Sequence, residues 1–431
     1  MSKGAGPDLD EQLMARTNRA LGSVAYIASQ RLRVDRARSG EARKRIDPVH
    51  LSSIGVWVVM SHAGVERALR DARLTKDESK ANPALLAVGP SSRSSETSAP
   101  VGARPSFVGT FAQLLTRLRD KGTHSHLRGL VARAFTPRRV EQIARNVQRL
   151  IDEILDDASG RGHMDVIQTL APLPTRVICE VVGIPEGDEA FVIKHAPALS
   201  TSLDFAPLAT IDAVERADRA TLELVDYLTT LVSARRRNPA GDVLSALIRN
   251  QSPGHTLEDD ELVAVALHLL FAGRETLGNF LGNALVSLIQ NRSELERLRA
   301  DSSIERSAIE ELLRYDSPAQ MTVRVALEDL DIDGRLIEKG RVVALVIGAA
   351  NHDPLVFTNP DQLDLGRTPN PHLAFGGGTH FCVGAPLARL EGRVILPAII
   401  RRFPDMRVER ATRLASFTPR GFAELQVAWS N

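Results

Sequence analysis

The stretch that decides the fold lies near the C-terminus and runs Phe375-Gly376-Gly377-Gly378-Thr379-His380-Phe381-Cys382-Val383-Gly384. It places one cysteine in a glycine-rich turn, directly before the helical pattern Ala385-Pro386-Leu387-Ala388-Arg389-Leu390-Glu391. Glycine reaches positive φ values and allows a backbone to approach a flat ligand closely. Pro386 falls in the first helical turn, where its missing N–H costs nothing. We therefore expect a tight turn that presents Cys382 at the start of a helix.

The position of Cys382 predicts a reactive or metal-binding sulfur. The positive end of a helix dipole favours the thiolate. The amide N–H groups of Val383, Gly384 and Ala385 have no partner inside the helix and can point at the sulfur. This geometry suits a thiolate ligand to a metal or a nucleophilic cysteine, with a buried cysteine in an ordinary turn as the structural alternative. A zinc site is disfavoured, because no second cysteine lies nearby.

The motif Phe-Gly-x-Gly-x-His-x-Cys-x-Gly, followed by Ala-x-Leu-Ala-Arg-x-Glu, resembles the haem-binding loop of the cytochromes P-450. In that family the cysteine thiolate is the proximal iron ligand and donates electron density that favours O–O cleavage. The resemblance implies haem b as the cofactor, Cys382 as the metal ligand and Phe375 packed beside the sulfur. It also implies that His380 reaches a haem propionate and that Gly376 and Gly384 belong to the cofactor-binding loop.

The composition is that of a globular protein. Hydrophobic residues make up 43% and charged residues 25% of the 431 residues, which are ordinary values for soluble domains. A net charge of +1 argues against bulk electrostatic binding to nucleic acid. The two cysteines, Cys179 and Cys382, lie far apart, which disfavours a disulfide framework and favours a reducing compartment. Because no signal pattern or membrane-length apolar run is present, we expect a cytoplasmic protein without a membrane anchor.

The family resemblance covers nearly the whole chain and predicts one domain over residues 1–431. We expect a mainly α fold with a small β-rich subdomain at roughly 45–75 and 320–350, and with haem between a long central helix and the cysteine loop and its helix. The sequence Asp331-Ile332-Asp333-Gly334 marks a hairpin turn in that subdomain. The Ser/Pro/Gly-rich stretch at roughly 80–110 is expected to be a flexible lid loop, or else a disordered surface excursion.

A long apolar helix is expected from about residue 256 to residue 290. Thr256-Leu257-Glu258-Asp259 resembles a capping box at its start. Near its middle, Ala272 and Gly273 are expected to leave room over a haem face. The Thr276 hydroxyl can bond to the carbonyl of Ala272, four residues back, and loosen the helix locally.

The same helix carries an acid next to a hydroxyl, which is the chemistry needed to deliver protons during oxygen activation. The segment is similar to the family's Ala-Gly-x-(Asp/Glu)-Thr motif. That similarity implies that Glu275 relays protons and that Thr276 steadies the reacting oxygen and its water. His268 lies one turn before Ala272 and is expected, with Phe271, to line the substrate pocket; the alternative for His268 is a satisfied core histidine.

Cofactor contacts are also expected outside the cysteine loop. His124 and Arg128 lie four residues apart, so that both face one side of a helix and form a donor pair suited to a carboxylate. The resemblance assigns them to a haem propionate, with His126 as the alternative to His124. Arg324 takes the same role, through a bidentate bond that suits a guanidinium. The preceding segment, Gln320-Met321-Thr322, is expected to line the substrate pocket.

A charged frame behind the haem loop is expected from Glu311, Arg314 and Arg367. Glu311 and Arg314 are spaced for an i, i+3 salt bridge, a spacing that is uninformative by itself. With Arg367 it resembles the family's Glu–Arg–Arg arrangement. These three residues are expected to support the loop rather than to react.

The resemblance implies monooxygenation, in which one atom of O2 enters an unactivated C–H bond and the other leaves as water. Electrons are expected from NAD(P)H through a reductase and a separate ferredoxin or flavodoxin, because the chain has no flavin or iron–sulfur motif. Arg133, Arg138, Arg139 and Arg393 are expected to form a basic docking patch for that partner. The substrate is expected to be an apolar, medium-sized steroid, terpenoid, polyketide or fatty acid, and the protein a monomer.

Two other classes of function remain open. One is a haem-thiolate peroxygenase, dehydratase or isomerase that needs no redox partner. The other is a non-catalytic haem sensor. The Glu275-Thr276 pair argues against both, because neither needs a proton relay of this kind.

Overall fold

A computed structural model of the chain describes residues 47–430, except for 53–54, 78–79, 83–84, 86–127, 130, 132–136, 198, 200–210, 250–256 and 415–418. Structural statements below concern the described residues. Most of the expected lid loop, 80–110, lies outside them, as does His124.

The elements of the first half, in chain order, are β1 (Val49–Leu51), β2 (Trp57–Val59), α1 (His62–Arg70), β3 (Leu74–Thr75), α2 (Pro137–Ser159), β4 (His163–Asp165), α3 (Val166–Leu170), α4 (Pro172–Val182), α5 (Glu189–His195), α6 (Ile211–Arg237) and α7 (Val243–Arg249). Those of the second half are α8 (Asp259–Gln290), α9 (Arg292–Ala300), α10 (Glu305–Tyr315), β5 (Thr322–Ala326), β6 (Leu330–Ile332), β7 (Arg335–Ile337), β8 (Val342–Leu345), α11 (Ile347–Ala350), α12 (Ala385–Arg402), β9 (Arg407–Arg413) and β10 (Phe422–Ala428). The fold is therefore mainly helical, as predicted.

The largest sheet has the strand order β1-β2-β8-β5-β3. Its strands pair antiparallel except β2 and β8, which run parallel with Val58 opposite Ala344. Their positions, between residues 49–75 and 322–345, fall where the β-rich subdomain was expected. The predicted hairpin joins β6 to β7 through Asp333 and Gly334, at φ values of 52° and 79°, and two positive φ values define the turn that suits a two-residue hairpin.

A second sheet, β4-β10-β9, was not predicted. It pairs Val427 with Met164, and thus joins the C-terminal part of the chain to the segment that precedes α3. The short strand β4 gave no distinct sequence signal.

The N-cap of the central helix α8 lies two residues after Thr256, the first residue of the predicted capping box. Glu258 is its N-cap, and the Glu258 amide donates to the Glu261 side chain at 3.0 Å while the Glu258 side chain caps the first turn in return. The interpretation of Thr256 as the capping residue was therefore wrong, and Thr256 itself lies outside the described residues. A carboxylate performs the same task as a hydroxyl, because both accept hydrogen bonds from the free N–H groups of the first turn.

Close packing fixes α8 against α4. A side chain placed on Gly273 would come within 2.8 Å of Ile178 on α4, so glycine at this position allows the two helices to approach. Most residues of α8 before and after its middle are buried, and most of these are apolar. Among the described helices, none combines the length and the apolar character that crossing a membrane requires.

The expected charged frame is confirmed. Glu311 and Arg314 are fully buried and joined by two bonds of 2.7 and 2.8 Å. Arg367 donates from Nε to both Glu311 oxygens, at 3.1 and 3.0 Å. Arg314 also donates to the carbonyls of Asn351 and Pro360, at 2.8 Å each. The frame therefore ties α10 to the segment that leads into the cysteine loop.

Replacing the buried carboxylate tests this frame. Glu311→Gln should lower the free energy of unfolding by about 3 kcal/mol, because breaking a buried ion pair leaves an uncompensated buried charge. Urea denaturation followed by circular dichroism measures the change. Glu153→Gln is the control, since Glu153 pairs with Arg149 at 2.8 Å in an exposed position and should leave the midpoint nearly unchanged. Equal losses in both variants would contradict a special role for the buried frame.

Candidate active site

The cysteine loop is closed by its own backbone. The Cys382 amide donates to the Phe375 carbonyl at 2.9 Å, and the Gly376 amide donates to Leu373 at 2.8 Å. Between these bonds the chain makes one 3₁₀ turn, Gly378–His380. Gly376 adopts a φ of 69°, a value that side chains disfavour. The predicted tight turn before a helix is thus present.

The loop rests on the C-terminal end of α1. A side chain at Gly378, whose φ is 62°, would lie 2.5 Å from the carbonyl oxygen of Leu69, and one at Gly377 would lie 3.2 Å from the Leu69 side chain. Backbone cannot yield as a flexible side chain can, so Gly378 must be glycine for this contact to form. The position of the loop against α1 is therefore fixed.

The sulfur of Cys382 experiences opposing influences. Removal of the sulfur from water by the surrounding protein raises the pKa of the thiol, although other parts of the residue are exposed. The backbone amides of Gly384 and Ala385 and the charges of Arg128 and Lys76 lower the pKa, but they do not outweigh the first effect. The amides at the helix start therefore lower the pKa of the thiol, as expected, but the pKa remains above its usual value. A bound metal cation would reverse the balance, because a coordinating thiol loses its proton.

Arg128 contacts the cysteine loop directly. Its guanidinium donates to the carbonyl of Phe381, the residue next to Cys382. This bond joins the helical segment around Arg128 to the loop. A contact between Arg128 and a propionate stays a prediction, as do the cofactor contacts of His380, Gly376 and Gly384.

A partly open face interrupts the buried surface of α8. His268 and Thr276 are exposed, and Ala272, halfway between them, is half-buried. Residues four apart lie on one side of a helix, so these three form a single stripe in the middle of an otherwise buried element. Glu275 and Phe271, next to the stripe, are half-buried, and Phe271 packs against the main apolar core.

The predicted bond within the stripe is present. Thr276 donates from Oγ1 to the Ala272 carbonyl at 2.9 Å. Gly273, by contrast, has its open side against Ile178 of α4, so the described contacts explain this glycine by helix packing. Its expected place beside a haem face stays a prediction.

Arg324 provides a test of whether the site fits the haem expected from the sequence. It is 2% exposed, and its Nη1 donates at 2.8 Å to two neutral oxygens, Thr322 Oγ1 and the Val323 carbonyl. Within the described part of the chain no carboxylate pairs with it, and burial lowers the pKa of Arg324 to about 10. A buried cation without a counter-ion costs several kcal/mol. A haem propionate would supply the missing carboxylate, so the residues present fit the cofactor.

The predicted pocket residues after α10 divide into two groups. Met321 and Thr322 are half-buried, and the Thr322 hydroxyl accepts from Arg324. Gln320 is 2% exposed and its Nε2 donates to the Ser317 carbonyl at 2.6 Å. Its Oε1 has no partner among the described residues, and the residue lines, together with His352, a polar cavity of about 90 Å³. This placement does not support a substrate contact for Gln320.

A charged cluster behind the loop was missed by the sequence analysis. Glu310 accepts two bonds from Arg389 of α12, at 2.6 and 2.7 Å, and lies 3.0 Å from His372 Nε2. Burial raises the pKa of Glu310, but Arg389 and His372 lower it to about 2. The only sequence signal was the acidic doublet of Glu310 and Glu311, and the interpretation used its second member alone.

Among the described residues, no group of three or more histidine, cysteine, aspartate or glutamate side chains is arranged to hold a metal ion. The metal ligand predicted here is a single cysteine, so a conventional multi-ligand protein site is not what the prediction requires.

Comparison with known proteins gives concordant matches. The family model described as "Cytochrome P450" matches residues 113–411. The polyketide biosynthesis cytochrome P450 PksS of Bacillus subtilis is 38% identical over 67% of this chain and 70% of its own length. The 6-deoxyerythronolide B hydroxylase of Saccharopolyspora erythraea is 36% identical over 84% of this chain and 86% of its own. The crystal structure of P450BioI in complex with an acyl carrier protein carrying hexadec-9Z-enoic acid superimposes with a TM-score of 0.80 at 29% identity, over 96% of this chain and all of that one.

Arg324→Met should speed the loss of haem by about tenfold or more, because a hydrogen bond to a charged group contributes about 1.5–3 kcal/mol. Transfer of haem from the purified protein to excess apomyoglobin, followed by absorbance, measures the rate. Arg341→Met is the matched control, since Arg341 already pairs with Glu338 at 2.8 Å and should leave the rate unchanged. Equal rates for Arg324→Met and the unsubstituted protein would contradict the propionate assignment.

Proposed function

The chain belongs to the cytochrome P450 family of haem-thiolate monooxygenases, with haem b as cofactor, and from this premise we propose that it hydroxylates a medium-sized apolar molecule with O2 and electrons from a separate protein. The observation that carries the proposal is the partly open stripe of His268, Ala272 and Thr276 on the buried central helix. It combines an apolar floor with a hydroxyl and an adjacent acid, Glu275. The loop of Cys382 supplies the opposite side of the cofactor site.

Haem b, when bound, supplies the iron at which O2 is activated, with Cys382 as its thiolate ligand. The chain's own part is to orient the substrate and to move protons. Thr276 Oγ1 donates to the Ala272 carbonyl at 2.9 Å. It can instead donate its proton to the reacting oxygen, and the Glu275 carboxyl can then return a proton to Thr276. A positioned acid of this kind contributes about 10²–10⁴-fold to a proton-transfer step.

The same pair distinguishes between the alternatives. A haem-thiolate peroxygenase or isomerase does not need protons delivered during O2 activation, and a haem sensor needs neither the acid nor the hydroxyl. The exposure of Thr276 on a largely buried helix favours the O2-dependent reaction, because a hydroxyl turned toward an open face is available for chemistry.

For the substrate we propose an acyl chain, as a fatty acid or a polyketide. The support is the family context: one relative is named for polyketide biosynthesis, and one structural neighbour holds a carrier protein with a 16-carbon unsaturated acyl group. Phe271, next to the open stripe, and Met321 are half-buried apolar side chains, and His268 is one polar group on the stripe. Steroids and terpenoids are the competing classes.

For the electron donor we propose an acidic ferredoxin or flavodoxin. The support is positive charge near the sulfur, where Arg128 and Lys76 both act on Cys382. Of the basic patch expected from the sequence, Arg393 is half-buried and its Nε donates to the Arg389 carbonyl at 3.3 Å. The other three predicted members, Arg133, Arg138 and Arg139, have side chains outside the described part of the chain.

The proton relay is tested with Thr276→Ala. The variant should still consume NADPH and O2 with a reconstituted redox system, but hydroxylated product per NADPH should fall about tenfold or more, with hydrogen peroxide rising in its place. Thr229→Ala is the matched control, because Thr229 makes the same bond to the carbonyl four residues back, at 2.8 Å from Val225 O, on the exposed side of α6. Unchanged coupling in Thr276→Ala would contradict the proposed relay.

The substrate class is tested by optical titration of the purified protein with a panel of free fatty acids, carrier-bound acyl chains, macrolactones, steroids and terpenoids. Acyl chains or macrolactones should bind at least tenfold more tightly than the other classes. In His268→Leu the affinity or the site of hydroxylation should change, because this side chain lies on the open face. Preference for steroids or terpenoids would overturn the acyl assignment, and unchanged binding in His268→Leu would remove that residue from the pocket.

A further inference from the structure

One carboxylate joins the two ends of the cysteine loop. Glu310, on α10, binds His372 before the loop at 3.0 Å and Arg389 after it at 2.6 and 2.7 Å. The three side chains are 24%, 3% and 33% exposed, respectively. Because the loop from residue 373 to 384 lies between these contacts, Glu310 fixes its entry relative to its exit.

The hydrogen bonds of His372 assign the neutral form to its imidazole ring. His372 Nδ1 lies 3.2 Å from the amide nitrogen of Ala374, whose N–H donates to it. Nε2 therefore carries the ring proton and donates it to Glu310. The cluster then contains one carboxylate and one guanidinium, so its charges cancel.

The guanidinium of Arg389 lies against the loop. Its central carbon is 4.5 Å from the centroid of the Phe375 ring, and the Phe375 carbonyl accepts the amide proton of Cys382 at 2.9 Å. Phe375 thus links the Arg389 guanidinium to Cys382, in a partly buried region where solvent screens a charge less than it does at the surface. Whether Arg389 acts as a full charge depends on Glu310.

We propose that Glu310 is a positioning residue that controls electron donation by Cys382, by holding both ends of the loop and by cancelling the charge of Arg389. The inference rests on the haem-thiolate function proposed above and goes beyond it. It concerns a residue distinct from its neighbour Glu311, which binds Arg314 and Arg367 and supports the frame.

We expect substitutions of the two charged residues to shift the reduction potential of the haem iron in opposite directions. Glu310→Gln leaves the Arg389 cation uncancelled, and a nearby positive charge favours the added electron. The ferric/ferrous equilibrium should shift about tenfold toward the ferrous form, which is about 59 mV for one electron. Arg389→Gln leaves the carboxylate uncancelled and should shift the equilibrium about as far in the other direction.

Spectroelectrochemical titration of the full-length, haem-loaded protein, with dithionite as reductant and soluble mediators, measures these shifts. The double variant Glu310→Gln/Arg389→Gln should return to within about twofold of the unsubstituted equilibrium, because it restores neutrality. Glu310→Asp keeps the charge and should stay near the unsubstituted value. It also provides a milder change if the glutamine variant retains little haem.

Glu305→Gln is the matched control. Glu305 also joins α10 to α12, through Arg401 at 3.8 Å, but at the end of α12 remote from Cys382. It should leave the potential unchanged. Shifts of the same sign in Glu310→Gln and Arg389→Gln would show that both merely loosen the loop, and a shift in Glu310→Gln no larger than in Glu305→Gln would equally overturn the proposal.

The carbon monoxide complex of the reduced, unsubstituted protein separates this inference from the function on which it rests. A far-red-shifted Soret band shows thiolate ligation, and the potentials then test Glu310 alone. If that band is absent from the unsubstituted protein, the haem-thiolate function itself fails, and the role of Glu310 falls with it.

Discussion

The cysteine side of the site depends on one buried guanidinium. Arg314 has no exposed surface, and its bonds reach the Glu311 carboxylate and the carbonyls of Asn351 and Pro360. Because a buried charge is tolerated only when its hydrogen bonds are satisfied, the chain from Asn351 onward must fold around it. That chain leads into the cysteine loop. The Asn351 side chain continues the connection, since its Oδ1 accepts from the Leu373 amide at 2.7 Å.

The two sides of the proposed site are held by different forces. The cysteine loop is fixed by charge and backbone hydrogen bonds, which define direction as well as distance. The central helix is fixed by apolar packing, and Gly273 leaves no room for a side chain between it and Ile178 of α4. Packing of this kind resists sliding, because interiors are dense and have few voids. A site that must hold reacting groups to within a fraction of an ångström requires rigid support on both sides, and each side obtains it by its own means.

The sequence predicted best what depends on local geometry. The Thr276 bond to Ala272 and the Glu311–Arg314 pair follow from helical spacing, and the turn at Cys382 follows from its glycines. The sequence did not predict contacts between segments that are far apart in the chain. The β4-β10-β9 sheet joins Met164 to Val427, and no local pattern contains that pairing. The cap of α8 was placed wrongly because Thr256 and Glu258 both supply oxygen acceptors, and only the helix start decides between them.

The acidic doublet of α10 shows why spacing alone could not assign every residue. Neighbouring residues on a helix point about 100° apart, since 3.6 residues complete a turn. Glu311 therefore faces the buried Arg314, whereas Glu310 faces α12 and His372. Glu311 accepts from two guanidinium groups, the Asp364 amide and the Asn370 side chain. The two positive charges around it therefore exceed its single negative charge. Glu310 receives one guanidinium and one neutral imidazole, so its cluster is balanced. Replacing Glu310 or Arg389 by a neutral residue changes the net charge of this cluster from zero to plus one or minus one, respectively. Glu311, which supports the frame, and Glu310, which balances charge beside the loop, are thus adjacent in sequence but have different physical roles.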